Sequence, residues 1–386
     1  MINISKLYSG LASESDYLRY SHEESLGPVV VYNCTPRCNL KCVHCYSSSD
    51  SRPHDSELTS AQADKFLADL ADAKCPVVLF SGGEPLLRSD IFDLLAEAKR
   101  QGLRTVLSTN GTLIDSHTAA RLAEVGLSYA GISLDGPEQF HDNFRKTTGS
   151  FQATLKGIEK CKKAGIKTGL RFTITKANAL HVPTIFDIAA SSGVTRICFY
   201  HLIRTGRAKD LDAQTLSPQQ TRQTIETIIQ KTADFARESL VDEVLTVGNH
   251  ADGPFLLLRM LKENHRGYED ARNLLLANGG NKTGQNIACV TWDGAVHPDQ
   301  FWLNYSLGNV KEKSFENIWQ DSAEPVLNKL RNKSTFADPR CLTCRWFDLC
   351  KGNYRFLGPD PDPKSWLNEP PCYLTDQEIR NSRMEC

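Results

Sequence analysis

The stretch Val29-Val-Val-Tyr32-Asn-Cys-Thr-Pro-Arg-Cys38-Asn-Leu-Lys-Cys42-Val-His-Cys45-Tyr46 joins a short β-branched run to three closely spaced cysteines. The apolar run predicts a strand, and the C-x3-C-x2-C spacing on the loop after it presents three thiolates to one soft metal centre. An iron–sulfur cubane held by only three thiolates keeps one iron open to a small ligand. The alternative is a zinc site that includes His44, although a histidine between two of the cysteines suits a tetrahedron poorly.

A second motif, Phe80-Ser-Gly-Gly-Glu-Pro85, follows the apolar run Val77-Val-Leu79. Two glycines at a strand end let backbone groups approach a ligand closely, and the carboxylate beside them can meet a small zwitterion. The motif alone would be an ordinary turn. In combination with the cysteine loop it indicates a ligand bound at the metal centre.

Strands and helices alternate along residues 29–201. Six apolar runs of strand length are separated by segments with helical spacing, so the sequence predicts a parallel sheet with right-handed crossovers and an α/β fold. Functional side chains of such sheets gather at the carboxyl ends of the strands. The residues predicted at that rim are Cys38, Cys42, Cys45, Gly82, Gly83, Glu84, Pro85, Ser108, Asn110, Ser133, Asp135, Arg171 and His201.

Composition and charge narrow the class of protein. The chain has 386 residues, 13 cysteines and a net charge of −1, and that charge argues against a broad basic footprint for nucleic acid while leaving room for a local basic pocket. No apolar run has membrane-spanning length, and the N-terminal residues lack the order of a signal peptide. The cysteines of such a chain are expected to be metal ligands or reduced thiols. We expect a cytoplasmic protein that binds neither nucleic acid nor membrane.

A second cysteine group, Cys341, Cys344, Cys350 and Cys372, has the spacing C-x2-C-x5-C-x21-C. Four thiolates can complete a structural zinc site or a fully ligated [4Fe-4S] cluster. The residues between the two groups, 217–285, are expected to be a mostly helical connecting segment. His250 and Asp252 interrupt it and can face a substrate, although a polar loop at a helix start explains them equally well.

The two cysteine groups and the Gly-Gly-Glu-Pro motif resemble the radical S-adenosylmethionine superfamily with a SPASM or twitch-like extension. The resemblance implies a partial (β/α)6 TIM barrel at 29–216 after an N-terminal extension at 1–28, and a cysteine-rich SPASM/twitch-like domain at 286–386. It implies that Cys38, Cys42 and Cys45 hold a [4Fe-4S] cluster whose open iron binds S-adenosylmethionine. The other implied contacts to that cofactor are Tyr46, Gly82, Gly83, Glu84, Pro85, Ser108, Asn110, Ser133 and Arg145. Turn chemistry explains the two serines and Asn110 equally well, and a salt bridge explains Arg145 nearly as well.

The same resemblance implies that Cys341, Cys344, Cys350 and Cys372 hold an auxiliary [4Fe-4S] cluster. The full SPASM pattern has further cysteines where this chain has Tyr354 and Asp299. One auxiliary cluster is therefore expected, and Cys289 is left without an assigned role.

Several runs resemble the tetrapyrrole-modifying branch of the superfamily, among them Ser108-Thr-Asn-Gly-Thr-Leu-Ile114, Gly131-Ile-Ser-Leu-Asp-Gly136, Ala251-Asp-Gly253 and Lys351-Gly-Asn353. The N-terminal run Ile2-Asn-Ile-Ser-Lys-Leu-Tyr8 is more similar to enzymes that remove two acetate side chains from 12,18-didecarboxysiroheme, which yields iron-coproporphyrin III in an alternative pathway of heme biosynthesis. The alternatives are a heme d1 maturase that removes propionates from the same precursor, and a SPASM peptide maturase.

An iron-tetrapyrrole substrate carries carboxylates and a metal, so its pocket should offer cations and imidazoles. The candidate substrate or catalytic residues are Arg171, His201, His250, Asp252 and His297. The resemblance also implies a reducing electron donor such as a ferredoxin or flavodoxin.

Overall fold

The computed structural model describes residues 1–10, 27–54, 56–355 and 366–380. Most of its strands form one eleven-stranded sheet, and two further strands pair near the C-terminus. In chain order the strands are β1 (Ile2–Asn3), β2 (Val29–Thr35), β3 (Val77–Gly82), β4 (Arg104–Thr109), β5 (Tyr129–Ser133), β6 (Thr168–Ile174), β7 (Arg196–His201), β8 (Glu243–Val247), β9 (Ile287–Thr291), β10 (Ala295–His297), β11 (Gly308–Asn309), β12 (Tyr354–Arg355) and β13 (Leu367–Asn368).

The helices connect and cover the strands. They are α1 (Ile4–Ser9), α2 (Ser60–Asp72), α3 (Ile91–Arg100), α4 (Ser116–Glu124), α5 (Glu138–Arg145), α6 (Ser150–Lys163), α7 (Val182–Ser191), α8 (Pro218–Arg237), α9 (Asp252–Lys262), α10 (Tyr268–Asn278), α11 (Phe315–Trp319), α12 (Pro325–Arg331), α13 (Pro339–Leu342), α14 (Phe347–Cys350) and α15 (Asp376–Arg380). A capping box between Thr59 and Gln62 starts α2, as the sequence predicts.

Strands β2 to β8 lie side by side in chain order, and every neighbouring pair is parallel. The six predicted strands correspond to β2 through β7. Alternate residues of a strand point to opposite faces, so Leu170 and Phe172 of β6 are buried in the core while Arg171 and Thr173 line a cavity. Because the strands are parallel, their carboxyl ends meet at one edge of the sheet, and the cavity opens there.

Two parts of the sheet were not predicted. Strand β8 lies in the segment expected to be mostly helical, and β1, in the segment called an N-terminal extension, pairs with β8 in antiparallel fashion at the sheet edge. The sequence does predict a small β-rich section over Ile287–Val290 and Ala295–His297, and strand β9 there joins the other side of the sheet, parallel to β2. A five-residue segment such as β8, Glu243-Val-Leu-Thr-Val247, is too short to show a decisive periodicity, and pairing with β7 and β1 determines its structure. The limits of the four predicted domains stay a prediction.

Within the described residues, no helix combines the length and the apolar character that crossing a bilayer requires.

Candidate active site

A cavity of about 190 Å³ opens at the carboxyl ends of the parallel strands. It collects most of the residues predicted at that rim, although they come from five strands, β3 to β7, and from the cysteine loop. The predicted residues that line it are Cys38, Cys42, Cys45, Tyr46, Gly82, Gly83, Ser108, Asn110, Ser133, Arg145, Arg171 and His201. The predicted rim and substrate residues outside its lining are Glu84, Pro85, Asp135, His250, Asp252 and His297, and the four C-terminal cysteines lie outside it as well.

Backbone hydrogen bonds hold the cysteine loop in place. The amide of Cys38 donates to the carbonyl of Asp50 at 2.6 Å, and the amide of Val43 donates to that of Phe144 at 3.0 Å. Arg207 adds a side-chain tie, because its Nε donates to the Cys42 carbonyl at 2.9 Å and its Nη1 to the Ser49 carbonyl at 2.7 Å. The loop is thus fixed by groups other than a metal.

The three thiols line one wall together. Burial, together with the smaller effect of the charges of Glu84, Cys42 and Cys45, raises the pKa of Cys38 to about 12. A coordinated metal reverses this preference, because it binds the thiolate form. No group of three or more His, Cys, Asp or Glu side chains in the described part of the chain is placed to hold a single metal ion. The thiolates of a cubane bind separate iron atoms, so the donor set of three cysteines at an open cavity fits a cluster.

His44, the candidate fourth zinc ligand, turns toward other partners. Its ring stacks on Phe144 with 4.5 Å between the ring centres, and its Nε2 lies 3.9 Å from Asp135. Burial lowers the pKa of His44 to about 4, so the ring is neutral at physiological pH.

The two glycines of the Gly-Gly-Glu-Pro motif allow a close approach between β3 and the start of the cysteine loop. A Cβ atom on Gly82, whose φ is +124°, would lie 2.3 Å from the Thr35 carbonyl oxygen, and one on Gly83 would lie 2.1 Å from that of Arg37. Any larger residue would displace this backbone. The glycines therefore set the distance between the loop and the strand end.

Glu84 is fully buried and is not among the residues that line the cavity. Its carboxyl group accepts hydrogen bonds from the Thr109 hydroxyl at 2.7 Å and from the Asn110 amide at 2.8 Å. It therefore ties the end of β3 to the end of β4. Pro85 is buried at the start of the short turn that follows. A contact of either residue with the methionyl amine stays a prediction.

Polar side chains at the rim already have partners within the protein. The Tyr46 hydroxyl donates to Asn33 at 2.8 Å, and its ring packs edge-on against Phe301, another cavity residue. Asn110 donates to the side-chain oxygen of Asn39 at 2.9 Å. These bonds hold the rings and amides in one orientation before any ligand binds.

Three arginines line the cavity, and their surroundings differ. Arg145 and Asp135 form a buried pair, with Nη2 and Oδ2 2.7 Å apart. Burial opposes ionisation of Asp135, but Arg145 outweighs it and keeps the pKa of that carboxyl below its ordinary value. Arg207 donates to backbone carbonyls, whereas Arg171 makes one hydrogen bond to the described residues, with the Ser108 hydroxyl at 2.6 Å.

His201 at the end of β7 belongs to a buried hydrogen-bond network. Its Nε2 lies 2.9 Å from Oδ2 of Asp252, and the Tyr373 hydroxyl donates to Oδ1 of the same carboxyl at 2.6 Å. His201 and Asp252 were predicted as separate candidates, and the structure brings them together. Tyr373 was missed, although it directly follows Cys372 in the sequence. The network connects the cavity wall to the C-terminal cysteine group.

The C-terminal cysteines are neighbours. Burial raises the pKa of Cys350 strongly, and the nearby Cys372, Cys341 and Cys344 raise it further. Gly280 packs against Cys350 so tightly that a Cβ atom would lie 2.4 Å from its carbonyl oxygen. Four thiols gathered in this way fit a fully ligated cluster.

The two positions at which the full SPASM pattern has cysteines carry other contacts. Asp299 pairs with Arg355 and accepts a hydrogen bond from Thr283. Tyr354 packs against Phe336, and its hydroxyl accepts from the Asp338 amide. Cys289 is buried in β9, where Asn33 donates to its sulfur at 3.6 Å.

The remaining histidine candidates lie away from the cavity. His297 is buried between the Thr291 hydroxyl at 3.1 Å and the Tyr305 carbonyl at 2.6 Å, and burial lowers its pKa. Burial likewise holds the pKa of His250 well below its ordinary value. A role for either as a substrate ligand stays a prediction.

Family models match both the part of the chain that carries the cysteine loop and the part that leads into the C-terminal cysteines. The model of the radical SAM superfamily matches residues 32–187, and that of the SPASM iron–sulfur cluster-binding domain matches residues 282–345. The chain belongs to the radical S-adenosylmethionine superfamily. It uses S-adenosylmethionine and a [4Fe-4S] cluster with an open iron, and its SPASM domain carries an auxiliary iron–sulfur cluster.

Among individual proteins, the chain is 45% identical to Fe-coproporphyrin III synthase of Methanosarcina barkeri, over 98% of this chain and 99% of that protein. It is 37% identical to pre-heme d1 synthase of Dinoroseobacter shibae, over 91% and 87%. It is 29% identical to AdoMet-dependent heme synthase of Oleidesulfovibrio alaskensis, over 84% and 81%.

Two solved structures have the same fold. SuiB of Streptococcus suis bound to precursor peptide SuiA superposes with a TM-score of 0.67 at 18% identity, covering 85% of this chain and 72% of that one. Native anSMEcpe with bound AdoMet superposes with a TM-score of 0.64 at 22% identity, covering 84% and 88%.

Proposed function

We propose that the protein is a radical S-adenosylmethionine enzyme of heme biosynthesis, a 12,18-didecarboxysiroheme deacetylase. It removes two acetate side chains of 12,18-didecarboxysiroheme and yields iron-coproporphyrin III. The observation that carries the proposal is the 45% identity to Fe-coproporphyrin III synthase over nearly the full length of both chains. The lower identity of 37% to pre-heme d1 synthase keeps propionate removal as the second candidate.

The cofactor sites follow from the donor sets. Cys38, Cys42 and Cys45 hold the cluster with the open iron, and Cys341, Cys344, Cys350 and Cys372 hold the auxiliary cluster. Around the first site, Tyr46, Gly82, Gly83, Ser108, Asn110, Ser133 and Arg145 line the cavity and contact S-adenosylmethionine. When bound, S-adenosylmethionine and the cluster with the open iron supply a 5′-deoxyadenosyl radical that abstracts a hydrogen atom from the substrate.

The chain contributes position and protection from water. Internal hydrogen bonds fix Tyr46 and Asn110, and the Arg145–Asp135 pair fixes a cation beside the cysteine loop. A preorganised wall of this kind holds the reacting carbon close to the radical, and close approach controls the rate of hydrogen abstraction. A reducing protein such as a ferredoxin or flavodoxin supplies the electrons.

Anaerobic incubation of the reduced protein with S-adenosylmethionine and 12,18-didecarboxysiroheme tests the proposal. Mass spectrometry and comparison with an authentic standard should identify iron-coproporphyrin III, with all propionates retained. The variant with Cys38, Cys42 and Cys45 changed to Ala is the matched control and should leave the substrate unchanged. A product that keeps its acetates and has lost propionate carbon would assign the protein to heme d1 biosynthesis.

A further inference from the structure

Arg171 is a cation in the cavity wall that has no acidic partner in the part of the chain that the structure describes. It lies in the middle of β6 beside Ser133 of β5, and its side chain is partly exposed to the cavity. Its Nη1 donates to the Ser108 hydroxyl at 2.6 Å, but its buried Nε has no hydrogen-bond partner. None of the ion pairs among the described residues involves this guanidinium.

The other arginines near the cavity are already neutralised or occupied. Asp135 pairs with Arg145, and Glu369 pairs with Arg204, whose Nη2 lies 2.9 Å from Oε2. Arg207 donates to two backbone carbonyls of the cysteine loop. A buried donor left without a partner costs free energy, and the cost is larger for a charged group. No described carboxylate balances the charge of Arg171, and the part of its side chain that lines the cavity can meet an acceptor that enters it.

A glycine makes room for this guanidinium. A Cβ atom on Gly131 of β5 would lie 2.2 Å from Nε of Arg171 and 2.7 Å from Cζ. An alanine at position 131 would displace the guanidinium, because a contact that short cannot persist. The run Gly131-Ile-Ser-Leu-Asp-Gly136 thus places the cation as well as the rim serine.

We propose that Arg171 binds the carboxylate of a ligand in this cavity. A planar guanidinium with free donors recognises a carboxylate through two parallel hydrogen bonds, and that geometry also fixes orientation. Both the tetrapyrrole and the methionyl part of S-adenosylmethionine carry carboxylates. The tetrapyrrole form of this inference rests on the proposed function.

Equilibrium binding to the anaerobically reconstituted holoenzyme tests the inference. The variants are Arg171→Gln, Arg171→Lys and Gly131→Ala, and Arg100→Gln is the control, because Arg100 is exposed on α3 and pairs with Glu97. Dialysis measures the affinity for S-adenosylmethionine, and absorbance titration measures the affinity for 12,18-didecarboxysiroheme and its methyl ester. Iron content verifies that each variant is folded and loaded.

Arg171→Gln should weaken one of the two ligands by about tenfold to about a hundredfold, as expected for the loss of a charged hydrogen-bond pair. Arg171→Lys and Gly131→Ala should weaken the same ligand, and Arg100→Gln should leave both affinities unchanged. If the ligand is the tetrapyrrole, esterifying its carboxylates should have the same effect as removing the guanidinium. The affinity of the wild-type protein for the methyl ester should then be no higher than the affinity of Arg171→Gln for the free acid. Weakening of S-adenosylmethionine instead assigns the carboxylate to the methionyl group.

Unchanged affinity for both ligands in Arg171→Gln would overturn the inference. A wild-type protein that binds no didecarboxysiroheme would overturn the proposed function, while the S-adenosylmethionine measurement still decides whether Arg171 binds a carboxylate. The two failures are therefore distinguishable.

Discussion

Replacing Asp252 by Ala removes the centre of the buried network that joins the cavity to the C-terminal cysteine group. The Tyr373 hydroxyl and the His201 ring lose their shared acceptor, which lies 2.6 Å and 2.9 Å from them. Each unsatisfied buried group costs about 1–3 kcal/mol, so the expected loss of stability is roughly 2–6 kcal/mol. With an unfolding entropy of about 2.1 cal/mol/K per residue, a 386-residue chain should melt roughly 3–7 °C lower.

The conservative variant Asp252→Asn keeps the shape of the side chain and changes only its hydrogen bonding, so its melting temperature separates these two contributions to stability. Its amide keeps one acceptor for Tyr373, and its NH2 group donates to His201 if the ring changes its tautomer, so the loss should be smaller than for Ala. Tyr373→Phe removes one of the two bonds and should also have a smaller effect. Anaerobic thermal unfolding of the holoenzyme measures the midpoints, and ¹⁵N-histidine NMR reports the tautomer. An Ala variant that melts within about 1 °C of wild type would refute this account of the network.

Three further predictions concern the cysteines and a buried lysine. Changing Cys38, Cys42 and Cys45 to Ala should remove about half of the iron and abolish reductive cleavage of S-adenosylmethionine; retained cleavage would contradict the cluster assignment. Changing Cys341 and Cys344 to Ala should remove about one cubane yet leave uncoupled cleavage intact, whereas zinc at that site in anaerobically purified wild type would refute an iron cluster there. Burial lowers the pKa of Lys333 to about 7, so the unfolded chain binds more protons above that pH and the unfolding free energy should rise from about pH 7 to about pH 10. Anaerobic denaturant titrations should find that Lys333→Met flattens this rise; an identical pH dependence would exclude Lys333 as its source.

Much of the fold and of the cavity wall follows from the sequence. The strand before the cysteine loop, the glycines at the end of β3 and the polar residues after later strands share one edge because parallel strands end together. The radical S-adenosylmethionine family, the tetrapyrrole-modifying branch and the SPASM extension were likewise recognised from motifs, and the comparisons confirm this relationship. Electron donor, cytoplasmic location and the individual site roles stay predictions.

The remainder depends on contacts between distant parts of the chain. No local pattern shows that Asp135 neutralises Arg145 while Arg171 has no carboxylate, because the partners are chosen by the folded sheet. Asp252 and Tyr373 are separated by more than a hundred residues, and only packing of α9 against the C-terminal tail brings them together. Glu84 appears in a motif typical of ligand binding, yet its buried carboxyl group accepts hydrogen bonds from Thr109 and Asn110.

The amount of acetate released per tetrapyrrole tests most directly whether the protein removes the acetate side chains of 12,18-didecarboxysiroheme. The substrate is 12,18-didecarboxysiroheme that carries ¹³C in its acetate side chains, and the reduced holoenzyme is incubated with it and S-adenosylmethionine under anaerobic conditions. Quantitative NMR of the small-molecule fraction should find two labelled acetate equivalents for each iron-coproporphyrin III formed. Turnover of the tetrapyrrole with all of the label retained in the macrocycle would contradict acetate removal.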